Sequence, residues 1–95
     1  MEERGVYQLG PSGSESVEIR PECLRAFANG WVTPTKEEIR HVQKLAGNLG
    51  RKTTGDLCGV SGKTVNFWTT GEKDIPYAPW AILCAVAGLG HIWEH

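Results

Sequence analysis

Leu49-Gly50-Arg51-Lys52-Thr53-Thr54-Gly55-Asp56-Leu57-Cys58-Gly59-Val60-Ser61-Gly62-Lys63-Thr64-Val65-Asn66-Phe67-Trp68-Thr69-Thr70-Gly71-Glu72 reads as two short helices joined by a tight turn. The first spans about residues 51–58, after Gly50. The second is capped by Ser61, whose hydroxyl accepts a backbone N–H of the first turn, and it runs to about Thr70 before Gly71. Gly59 stands where a turn between helices needs a positive φ, and Val60 is the apolar plug of that turn. Gly55 is the small residue that lets the two helices approach closely. Val65 and Trp68, three apart, form the buried face of the second helix. That leaves Gly62, Lys63, Asn66 and Phe67 facing outward. The first helix of the pair is weak by propensity, because Thr53, Thr54 and Gly55 are poor helix formers.

Working outward, Thr35-Lys36-Glu37-Glu38 is a helix start with a Thr N-cap and a Glu three residues later, the reciprocal arrangement of a capping box. Ile39, Val42, Ala46 and Leu49 then recur at spacings of three and four, giving one apolar face. Arg40, His41 and Lys44 lie off it, and the helix ends near Gly47-Asn48. Downstream, Pro79 is a favoured first-turn residue and opens a fourth helix that carries Trp80-Ala81-Ile82-Leu83-Cys84-Ala85-Val86-Ala87 to Gly88. On the N-terminal side, Pro21 opens a single short helix over residues 22–28, closed by Asn29-Gly30. Val17-Glu18-Ile19 reads as a short extended piece. Residues 1–17, with the turn-like Gly10-Pro11-Ser12-Gly13-Ser14, read as a loosely held arm. No repeat and no strand ladder is visible. The expected class is all-α, a small bundle of four to five helices with an N-terminal arm. Residues 1–34 hold the arm and a short helix, and residues 35–95 hold the main domain.

Ninety-five residues make one small domain without room for a second core, and such chains often gain stability by oligomerising. Hydrophobic content of 40% and charged content of 22% exclude disorder across the whole chain. The net charge of −1 excludes a polycation that coats nucleic acid. The charge is unevenly placed, however. Residues 1–34 hold three Arg against five Glu, residues 35–73 hold seven Lys/Arg against four acids, and residues 74–95 hold only Asp74 and Glu94. The positive charge therefore sits where the paired helices are. Cys23, Cys58 and Cys84 are odd in number and lack a CxxC pair. They fit neither a zinc site nor a secreted disulfide framework, and read as reduced, semi-buried thiols of a cytoplasmic protein. The acidic N-terminus lacks the apolar core of a signal peptide. The apolar run over residues 80–89 is too short to span a bilayer.

Chemistry is not signalled either. His41, His91 and His95 are scattered, and Asp56 and Glu72 have no evident partner, so neither a metal nor a cofactor is expected. Gly59-Val60-Ser61-Gly62-Lys63-Thr64 ends like a phosphate-binding loop, but the position that should hold its first glycine is Leu57. No strand is expected before it. The sequence does not read as an enzyme.

The pattern Gly59-Val60-Ser61-x-x-Thr64-Val65-x-x-Trp68-x-x-Gly71 resembles the Cro/repressor-like, or XRE-type, helix-turn-helix. The resemblance covers residues 35 to about 88. The continuation Ile75-Pro76-Tyr77-Ala78-Pro79-Trp80-Ala81-Ile82-Leu83 looks like a variant of phage and plasmid regulators, in which a Trp-led helix follows the motif. The sequence departs from the family at Thr54, where a large apolar residue is usual, at Gly55, where alanine is usual, and at Thr69, where glutamate is frequent.

The resemblance implies a sequence-specific regulator of transcription, acting as a repressor, with the helix at about 61–70 in the major groove of double-stranded DNA. Arg51 becomes a phosphate clamp, with Lys52 beside it and Ser61 at the cap. Gly62, Lys63, Asn66 and Phe67 face the groove, where lysine suits guanine O6/N7, asparagine suits adenine, and phenylalanine suits a thymine methyl. Thr70 and Lys73 return to the backbone. For Phe67, a protein contact and local packing stay open beside base contact. A second reading of the whole is a protein-interaction adaptor that keeps the fold and does not bind DNA. Residues 80–89 are apolar nearly all round, so something must cover the second side of that helix. Either the N-terminal segment with Ile19, Leu24, Phe27 and Trp31 does so, or the same helix of a second subunit, with Ile92 and Trp93 at the edge. The latter makes a homodimer that reads an inverted-repeat operator.

Overall fold

The computed structural model describes residues 6–9 and 15–94, with side chains from Val17 onward; the Gly10-Pro11-Ser12-Gly13-Ser14 turn and His95 lie outside the described residues. Four helices form its core: α1 (Lys36–Leu45), α2 (Arg51–Cys58), α3 (Gly62–Thr70) and α4 (Tyr77–Val86). The all-α core is as expected from the capping and spacing signals. A small addition is not. β1 (Val6–Leu9) pairs antiparallel with β2 (Glu15–Glu18), with Val6 opposite Glu18 and Leu9 opposite Glu15. Strands of four residues are too short for alternation to stand out in a sequence rich in Gly, Ser and Glu. The end of this hairpin is tied to α1, whose His41 Nδ1 lies 2.8 Å from the Glu18 carbonyl.

The start of α1 carries the capping box in full. The Glu38 N–H donates to Thr35 Oγ1 (3.2 Å), and the Thr35 N–H donates to Glu38 Oε1 (2.8 Å). Ile39 and Val42 are fully buried. Glu38 also receives bonds from the N-terminal segment. The Arg20 N–H donates to its Oε2 at 2.8 Å, the Arg20 guanidinium reaches Oε1 at 2.9 Å, and the Cys23 thiol lies 3.5 Å from Oε2. Burial alone would push the Glu38 carboxyl up. The Arg20 side chain, then the backbone N–H groups of Thr35 and Arg20, outweigh that and hold it at about 2.

Residues 22–28 do not form one helix. Two 3-10 turns, Pro21–Leu24 and Phe27–Asn29, are separated by extended Arg25 and Ala26. The cause is visible at Cys23. Its carbonyl accepts the indole N–H of Trp80 at 2.7 Å and that of Trp31 at 3.1 Å, so both lone pairs are used and none serves a helical ladder. α4 begins at Tyr77 rather than Pro79. Pro76 is its N-cap and Pro79 its third residue, which costs no hydrogen bond because first-turn N–H groups have no helical acceptor.

Trp80, Ala81, Leu83 and Cys84 face inward on α4 and pack with Ile19, Val42, Val65 and Trp68. The N-terminal segment therefore covers one side of α4. The other side keeps an open stripe of Ala78, Ile82 and Val86, the last two 37% and 45% exposed. Ile92 is buried and Trp93 exposed. All three cysteines are free. Cys58 is half-buried as expected, but Cys23 and Cys84 are fully buried, and burial pushes both of their thiols up to about 12.

Candidate nucleic-acid interface

The geometry of this face starts from the contact between α2 and the turn before α3. A Cβ on Gly55 would lie 2.5 Å from the Val60 carbonyl oxygen, so only glycine permits the approach. Val60 N–H in turn donates to the Gly55 carbonyl at 2.9 Å, and Gly59 makes the reversal at φ 72°. Thr54 looks unsuited to a core position by its hydroxyl. It is nonetheless fully buried, because Gln43 of α1 donates to its Oγ1 at 3.1 Å. A buried polar pair thus joins α1 and α2.

Ser61 caps α3, accepting the Thr64 N–H at 3.3 Å. Val65 and Trp68 anchor the helix on the core, as their spacing implied. A Cβ on Gly62 would be 3.7 Å from the Arg51 Cβ, an ordinary contact. The first residues of α2 and α3 are thus neighbours, which brings the two helix N-termini together. Arg51 and Lys63 are exposed there, while Asn66 and Phe67 are half-buried on the same helix as Lys63.

Lys73 lies beyond the end of α3, yet it returns to it. Gly71 takes φ 84°, and the Lys73 N–H then donates to the Phe67 carbonyl at 3.1 Å. Its ammonium sits 4.6 Å from the Phe67 ring centroid, with that of Lys63 at 5.9 Å. Thr70 is exposed and donates its hydroxyl to the Phe67 carbonyl at 3.3 Å. Lys52 stands apart from this group, in a 3.1 Å ion pair with Asp56 on a solvated face. The family resemblance implied that Lys73 returns toward the DNA backbone, but its docking on Phe67 is not legible in the sequence. The only cue is a glycine at the helix end two residues before a lysine.

Among the described residues, no group of three or more His, Cys, Asp or Glu could hold a metal ion. No described helix is long and apolar enough to cross a membrane.

No family model matches the chain, and no solved structure matches it. Two curated proteins do, both described as transcriptional repressor protein KorC of Escherichia coli. One is 50% identical over 80 residues, covering 82% of this chain and 93% of the relative. The other is 46% identical over 78 residues, covering 80% and 91%.

Proposed function

We propose that this chain, which belongs to the family of KorC transcriptional repressor proteins, is itself a repressor that binds double-stranded DNA sequence-specifically through a helix-turn-helix. In this reading α3 enters the major groove and α2 crosses the backbone. The observation that carries it is the adjacency of Arg51 and Gly62, which brings the first residues of α2 and α3 together; in this reading both helix ends and the Arg51 guanidinium face one strip of phosphates. The basic surplus of residues 35–73, in a chain of net charge −1, puts positive charge in the segment that carries α2 and α3. Membership in a family of regulators also accounts for a chain that is not an enzyme.

Arg51, with Lys52 beside it, contacts phosphate, which sets affinity and register but not sequence. Arg51→Ala is expected to weaken binding to every duplex and to lower the salt slope by about one unit. Lys63 and Asn66 read base edges from the groove face, while the Ser61 cap and Gly62, the first residue of α3, bring backbone close to the DNA. Lys63→Ala and Asn66→Ala should each cost roughly 1–3 kcal/mol on the preferred site and little on random DNA. Selection of bound fragments from random duplexes supplies that site, and titrations at several salt concentrations make both measurements. Equal losses on both kinds of DNA remove a residue from the reading set. Wild-type protein without salt-sensitive duplex binding supports the adaptor reading instead.

The open stripe of Ala78, Ile82 and Val86 supports a homodimer built on α4. Two recognition helices would then meet half-sites about 34 Å apart in an inverted repeat. Sedimentation equilibrium at micromolar concentration should find a dimer, and Ile82→Asp a folded monomer. A wild-type monomer, unchanged on saturated operator, would exclude this arrangement.

A further inference from the structure

We propose that Phe67 is a positioning residue whose ring docks the Lys73 ammonium onto the outward face of α3 and so makes Lys73 part of the phosphate-contacting surface. The inference rests on the reading of α3 as the groove helix and assigns Phe67 a role apart from reading a base. Three observations converge on it. The left-handed turn at Gly71 sends the chain back along α3, and the Lys73 N–H closes on the Phe67 carbonyl at 3.1 Å. The backbone of Lys73 is thereby set against the same residue whose ring its side chain covers. The ammonium lies 4.6 Å from the ring centroid, well inside the range in which a cation is held by the π face. Lys63 approaches the ring from the first turn of α3 at 5.9 Å.

Glu72 and Asp74 flank Lys73 in the chain, yet neither closes on its ammonium. Among the described residues, neither lysine makes an ion pair with a carboxylate. One half-buried ring therefore gathers two ammonium groups, one from the first turn of α3 and one from just past its end, and leaves both available to an anion from outside. A lysine on a four-carbon stem loses side-chain freedom when it binds a phosphate. Docking on the ring removes part of that loss beforehand. A leucine at this position would fill similar space and could still press on a methyl group, but it offers no π face.

The test uses the full chain and two variants, Phe67→Leu and Phe67→Tyr, each first shown to melt near the wild-type temperature. In free wild-type protein, the Lys73 ε-methylene protons should resonate upfield of an ordinary lysine because of the ring current. They should return to the ordinary position in Phe67→Leu and stay shifted in Phe67→Tyr. On a duplex selected from random sequence, Phe67→Leu should weaken binding about two- to fivefold. It should add nothing on a Lys73→Ala background, whereas Phe67→Tyr should retain affinity. Ordinary Lys73 shifts in the wild type overturn the docking. Equal losses from Phe67→Leu on both backgrounds overturn the positioning role, because the ring would then touch DNA itself. Absence of any duplex binding overturns the groove-helix reading and the role with it, while the shifts report separately whether the ring holds the lysine.

Discussion

Glu38→Ala is expected to destabilise the protein by about 2–4 kcal/mol, lowering its melting temperature by roughly 10–20 °C. The carboxylate is buried, and it is the acceptor for the Thr35 N–H, the Arg20 N–H and the Arg20 guanidinium. Removing it leaves two backbone donors without their acceptor and opens the capping box of α1. The guanidinium itself is partly exposed and rehydrates, so the loss stays below that of a fully buried pair. Glu38→Gln keeps an oxygen for Thr35 but turns an amide toward Arg20, and should cost less.

The two variants also differ from the wild type in acid. The folded-state value of about 2 lies below the ordinary 4.5, so this group's contribution is fully present above about pH 4.5. It is on the order of 3 kcal/mol and is lost as the pH falls toward 2. Urea unfolding between pH 6 and pH 2.5 should show a steep acid limb in the wild type and a flatter one in Glu38→Gln. Parallel limbs would mean that Glu38 is not the linked group.

Gly55→Ala is expected to destabilise the protein by about 2–3 kcal/mol, although alanine is the better helix former by about 1 kcal/mol. The added methyl would meet the Val60 carbonyl oxygen at 2.5 Å, and that oxygen belongs to the turn backbone, which has no rotamer to change. α2 must then move away from the turn, carrying Arg51 with it, so duplex affinity should fall as well. Gly62→Ala is the control. Its methyl meets Arg51 at 3.7 Å, an ordinary contact, and stability should be unchanged or slightly raised. Thermal melts of the two variants side by side decide the matter. A Gly55→Ala protein as stable as wild type would show that the turn accommodates a methyl group there.

The contrast shows what was legible in the sequence. Signals confined to a few consecutive residues read correctly: the box at Thr35 and Glu38, the positive φ at Gly59, the Ser61 cap, and the Val65–Trp68 spacing. Features that join distant residues did not. Glu38 was visible as a cap, but its bond to Arg20, 18 residues earlier, depends on how the N-terminal segment folds back. Thr54 looked like a defect until Gln43 of another helix supplied a donor. The single helix expected over residues 22–28 gives way to two 3-10 turns because the Cys23 carbonyl is taken by indoles that lie 8 and 57 residues further on. In the candidate interface, Lys63 and Asn66 followed from helix periodicity. The docking of Lys73 required the turn at Gly71 to be seen in three dimensions.

The Cys23 carbonyl has one more consequence, an optical one. Indole emission moves to longer wavelength as the ring becomes hydrated, and here two of the four tryptophans share one hydrogen-bond acceptor. Peeling residues 20–34 away from α4 would wet Trp31 and Trp80 together while Trp68 stayed dry between the helices. Trp93, already half exposed, would contribute a constant background. The protein thus carries its own fluorescent gauge of that one seam, readable without a label.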